Sequence, residues 1–181
     1  MPGVDGQLFG LVHNVDGREL FYQRLGEVVR ARGNGGLINL ESGEVIDLLL
    51  SSPHSVQRMG DGYMILDSGH AELLQYDETW HLCGRVPVTA WGRGAAQSRD
   101  GQWLFVGISP IRKRYFGRIP GVREGIGASV DLLAVNSGAT VSSLAVPHAE
   151  EIYSVNLVGR SEALSLLEIG CHSTSTAAGR R

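Results

Sequence analysis

The chain has 181 residues, a formal net charge of −3, 43% hydrophobic residues and 25 glycines, a size that fits one domain or part of a larger one. The acidic balance excludes a general nucleic-acid surface, which would carry a basic excess. No apolar run reaches the roughly 20 residues that cross a bilayer, and Met1-Pro2-Gly3-Val4-Asp5 lacks the basic and apolar regions of a secretory leader, so a cytoplasmic protein is expected.

Strand-like runs separated by turn residues fill most of the chain. Lettering the strands a to d outward from a central axis, residues 7–12 form a strand b, 37–41 a strand c and 44–50 a strand d. Between the first two, residues 23–31 have a loose helical look that Gly26 and the paired Val28-Val29 weaken. A compact unit follows, with strands at 54–59, 63–67, 72–76 and 81–86. The next has strand a at 94–98, strand b at 102–108, a long insertion over 110–127, then strands at 131–135 and 140–146. Residues 151–157 and 163–169 supply one more a and b pair, and the Ser, Thr, Ala, Gly and Arg composition from Cys171 onward predicts a disordered tail. Cys83 and Cys171 stand far apart without a partner motif, which argues against a disulfide framework.

The chain repeats itself. Asp5-Gly6, Asp61-Gly62 and Asp100-Gly101 each precede a short apolar run, the local signature of a hairpin. Leu37-Ile38-Asn39 with Ser42-Gly43 returns as Leu132-Leu133-Ala134 with Ser137-Gly138. The unit from Pro53 to Val86 approaches the roughly 40 to 45 residues of a four-stranded propeller blade. The expected fold is therefore all-β: a partial β-propeller of about three four-stranded blades, near 5–50, 53–86, 91–146 and 150–170. Propellers close with about four to eight blades, so the chain reads as a fragment of a larger ring of roughly six, with open blade edges that invite self-association.

Several motifs carry a resemblance. Gly35-Gly36-Leu37-Ile38, Glu41-Ser42-Gly43-Glu44-Val45, Pro53-His54-Ser55, Leu66-Asp67-Ser68-Gly69, Phe105-Val106-Gly107-Ile108-Ser109 and Glu150-Glu151-Ile152-Tyr153 follow in order. Together they resemble a bacterial family of uncharacterised β-propeller proteins, and match the C-terminal part of a longer family chain. The resemblance implies the fold and brings no catalytic residues. Val56 and Ala128-Ser129 depart from the family pattern.

Counting back seven positions from Asp61, Asp100 and Val158 reaches His54, Arg93 and Glu151, each at the start of an innermost strand. In a propeller these positions face one mouth of the channel, where ligand sites form. Arg93 offers a planar fork for a carboxylate or phosphate, His54 a group that titrates near neutrality, and Glu151 with Glu150 a carboxylate pair. The bland reading is that they cap strand ends and pair with one another. Arg112 and Arg114, with two aromatics in the insertion, form a basic flap that could hold an anion or dock a protein partner. The functional expectation is a binding or scaffold module for a small polar or anionic ligand or a protein partner, with no cofactor, nucleic acid or membrane. The alternative resembles metal-dependent lactonases or strictosidine-synthase-like propellers, with Ca²⁺ or Zn²⁺ held near Glu151, His54 and Asp67.

Overall fold

A computed structural model describes residues 8–15, 33–110 and 125–159. The fold is all-β, and the described residues form eleven strands in three antiparallel sheets. The first sheet has the order β1 (Phe9–Val12), β2 (Gly35–Asn39), β3 (Val45–Leu50). The second is a meander of β4 (Pro53–Met59), β5 (Gly62–Asp67), β6 (Glu72–Tyr76) and β7 (Leu82–Pro87). The third is a meander of β8 (Gly92–Gln97), β9 (Trp103–Ile108), β10 (Ser129–Ala134) and β11 (Thr140–Ala145). The first strands of successive sheets touch, β1 against β4 and β4 against β8, so the sheets stand as neighbouring propeller blades around an inner edge. The described residues form no closed ring.

The middle blade explains its own sequence. Successive strand residues point to opposite faces, and β5 is covered on both. Tyr63 and Ile65 join Leu50, Leu74 and Tyr76 in a core toward the first blade. Met64 and Leu66 join Leu73, Ala95, Leu104, Val106, Ile108 and Leu133 in a second core toward the third blade. This is why Tyr63-Met64-Ile65-Leu66 runs apolar without alternation, as in any strand buried on two faces.

The hairpins differ in detail from the repeated Asp-Gly reading. Met59 pairs with Gly62, so the loop of the second blade is Gly60-Asp61, with Gly60 in the left-handed region (φ 58°). In the third blade the left-handed residue is Gly101 itself (φ 71°), after a turn closed by its N–H to the carbonyl of Ser98. The dipeptide therefore marks two different turns. The strand expected over 151–157 pairs with no ladder; its expected partner, 163–169, lies outside the described residues, as do Asp5-Gly6, residues 23–31 and the tail. The segment is held along the third blade by single contacts instead. The N–H of Ile152 donates to the Oγ of Ser109 at 2.8 Å, and that hydroxyl donates to the Ile152 carbonyl.

Candidate inner-rim site

Two of the three counted-back residues occupy the same place in their strands. His54 is the second residue of β4 and Arg93 the second residue of β8. Both fall where the ladder slips: the register breaks between His54 and Gln57, and again between Gly92 and Gly94. Such bulges re-aim side chains and are over-represented beside functional sites. The buried Ser68 follows β5 and Ser109 follows β9, and each binds the opening of the next inner segment, at the carbonyl of Gly92 and of Ile152 respectively. On this match Ile152 aligns with Gly92, two positions from where the seven-residue count set it. Glu151 nevertheless reaches the same place, because its carboxylate accepts from Arg93 Nη1 at 2.7 Å.

Arg93 is the centre of the cluster. Its guanidinium and the Glu151 side chain are 20% and 15% exposed, so the pair is largely screened from water. The ring of Tyr153 lies 4.6 Å beneath the guanidinium carbon, a cation–π contact. The Nε–H of Arg93 is buried and has no hydrogen-bond partner. Such an orphaned donor costs on the order of 1–3 kcal/mol.

His54 completes the rim. Its Nδ1 lies 2.9 Å from the Ser52 carbonyl and 2.9 Å from the Ser68 hydroxyl. A carbonyl only accepts, so the network assigns the proton to Nδ1 and leaves Nε2 as a lone-pair acceptor. Burial, then the nearby charges of His13 and Arg93, push the His54 pKa down to about 4, against a smaller opposing effect of the Ser52 carbonyl. The imidazole is therefore neutral at physiological pH. Its ring meets His13 and Trp91 edge-on, at 5.3 and 5.8 Å between centroids. His13 keeps a solvent-facing side, and its pKa is also lowered, by partial enclosure in protein and then by Arg93.

The remaining candidates lie elsewhere. Glu150 is exposed at the bend before Glu151. Asp67 closes β5 facing away from the rim, where it accepts from the Ser51 N–H at 2.8 Å and pairs with His70 Nδ1 at 2.9 Å. Arg112 and Arg114 are outside the described residues. Among the described residues no group of three His, Cys, Asp or Glu side chains converges as a metal site would require. Sequence reasoning passed over His13, Trp91, Tyr153 and the bridging Ser68. Tyr153 stood in a motif already singled out, two residues after Glu151. His13 ends a strand b rather than opening a strand a, so the repeat phase gave no sign of it.

Comparison with known proteins gives the chain a family. The model for Domain of unknown function (DUF4915) matches residues 27–166. No curated protein matches the chain. Among solved structures, a protein of unknown function from Bacteroides caccae is 12% identical with a TM-score of 0.41, covering 65% of this chain and 40% of that one. Hydrazine synthase of Kuenenia stuttgartiensis is 14% identical with a TM-score of 0.35, covering 62% of this chain and 43% of that one. The chain thus spans less than half the length of either structure. The chain belongs to the DUF4915 family.

Proposed function

We propose that this member of the DUF4915 family is a propeller-type binding module whose inner rim recognises a small polar ligand carrying negative charge. The observation that carries the reading is the setting of Arg93: a largely buried guanidinium, stacked on Tyr153, with one N–H unpaired. A carboxylate or phosphate satisfies that donor and gains a charge-assisted hydrogen bond. Neutral His54 supplies an acceptor beside it, so a ligand with both an anionic group and a hydroxyl or amide fits the rim best. Glu151 competes with such a ligand for the same cation, which couples binding to the docking of residues 151–157. The rim then acts by recognition, with no nucleophile or base asked to turn over a substrate.

Calorimetric titration with succinate and with inorganic phosphate tests this. Saturable binding of at least one is expected, lost in Arg93→Gln and strengthened in Glu151→Gln, where the internal competitor is neutral. Binding that Arg93→Gln leaves unchanged, or no saturation by either anion, overturns the reading.

A further inference from the structure

A second cleft, of about 550 Å³, lies between the first and second blades, and none of the rim cluster lines it. Its walls come from β3, β6 and β7, the outer strands of the two blades, with Asp67 at the end of β5 and His70 and Trp80 from the loops beside β6. The volume is within the roughly 300–1,000 Å³ of small-molecule sites. One wall is apolar and rigid: Trp80 stacks on Tyr63 at 4.3 Å between centroids and meets Phe9 edge-on at 5.7 Å. Leu48, Leu74 and Leu82 continue that wall.

The same strands also bring charge into the cleft. Three carboxylates line the cleft, those of Asp47, Asp67 and Glu72, against Arg85 and His70. Asp67 is 3% exposed and fully engaged by Ser51 and His70. Glu72 meets Arg85 at 2.7 Å through one oxygen. Among the described residues no cation pairs with Asp47, whose carboxylate accepts from the Leu49 N–H at 3.0 Å. The Asp47 carboxylate is thus the one lining carboxylate without a basic side chain against it among the described residues.

The carrying observation is Tyr76. It is only 6% exposed and lines the cleft, and among the described residues no group hydrogen-bonds its hydroxyl, which keeps contact with solvent. A phenol that meets only water in a cleft offers a ligand both a donor and an acceptor. Burial and then Asp67 push its pKa up to about 12, so it stays a neutral hydroxyl.

We propose that this cleft binds an organic cation with an apolar body, an arylalkylamine in chemical class, its ring on Trp80 and its ammonium between Asp47 and the Tyr76 oxygen. The ammonium balances the unpaired carboxylate and donates to the phenol, and the body covers the leucines. The site is independent of the inner rim, and either can fail alone.

The test is calorimetric titration at pH 7 with 2-phenylethylamine, beside 2-phenylethanol as the uncharged analogue of the same size. Saturable amine binding is expected with a dissociation constant of about 0.1–1 mM for so small a molecule. The alcohol is expected to bind about ten-fold more weakly, and added salt to erode the difference. Tyr76→Phe keeps the ring packing and removes only the hydroxyl; Asp47→Asn keeps the shape and removes the charge. Each is expected to weaken the amine about five-fold, while Arg93→Gln leaves it unchanged. Equal binding of amine and alcohol, amine affinity untouched by both variants, or no saturation below about 10 mM overturns the proposal.

Discussion

Arg93 and Glu151 meet at 2.7 Å across 58 positions of sequence, and through that contact a segment without a ladder is tied to the inner edge of the third blade. With side chains 20% and 15% exposed, the pair stands between a surface ion pair, worth up to about 1 kcal/mol, and a buried one, whose half-removal costs about 3–5 kcal/mol. Glu151→Gln is therefore expected to destabilise the fold by about 1–3 kcal/mol, chiefly by leaving Arg93 unpaired. Adding Arg93→Met is expected to recover at least half of that loss. Urea denaturation of both single variants and the double variant measures the coupling, and strict additivity would show that the pair contributes nothing of its own.

His54 makes stability depend on pH. Its pKa falls from 6.5 to about 4 in the folded protein, so between those values the unfolded chain binds a proton that the folded one refuses. The stabilisation is complete above pH 6.5 and is lost as pH falls toward 4. Its size is on the order of 3 kcal/mol. His70 has the opposite sign: its raised pKa, from the Asp67 hydrogen bond first, gives stability at low pH that fades as pH rises through the folded value. His54→Asn keeps a donor toward Ser52 and cannot titrate. Denaturation midpoints for the two proteins are expected to converge as pH falls from 6.5 to 4; parallel curves would show that His54 is not held neutral.

Much of this architecture is legible in the residues. The unalternating run Tyr63-Met64-Ile65-Leu66 announces a strand covered on both faces, and its blade packs between two others. The left-handed glycines after β2 and β10, Gly43 and Gly138, fall at matching places in the repeat. The inner rim is less legible, because its contacts join elements the repeat does not align. His13 follows β1, and Ser68 stands in a Ser-Gly turn that carries no sign of its hydroxyl bridging His54 and Gly92. The inter-blade cleft has no sequence motif at all, since Asp47, Tyr76 and Trp80 meet only because two sheets stack.

Gly94 tests how the last segment is held. A Cβ there would lie 2.6 Å from the Cα of Ser154, and a backbone atom cannot rotate away. Gly94→Ala is expected to lift residues 151–157 off β8, at a cost of about 1–3 kcal/mol, and to break the Arg93–Glu151 contact with them. Amide exchange at Ile152, whose N–H is held by Ser109 at 2.8 Å, reads this directly. Gly127→Ala, with nothing within 4 Å of the added atom, is the matched control. Unchanged protection of Ile152 in Gly94→Ala would show that the segment accommodates a side chain.

The outer edges predict how copies of the chain meet. An unpaired edge strand templates association unless charge, proline or curvature blunts it. The edge strand β3 carries Asp47 in its middle, and β7 carries Arg85 and ends at Pro87. The third edge strand, β11, reads Thr-Val-Ser-Ser-Leu-Ala, is exposed along its whole length and has no charge; Val141 and Leu144 are 57% and 70% exposed. Association is therefore expected through β11, at protein concentrations on the order of 100 µM. Leu144→Lys places a charge on that strand and is expected to shift sedimentation toward the monomer, whereas Asp47→Asn on β3 is not. A wild-type chain monomeric throughout that range, or a Leu144→Lys variant that associates equally well, would show that β11 is not the contact.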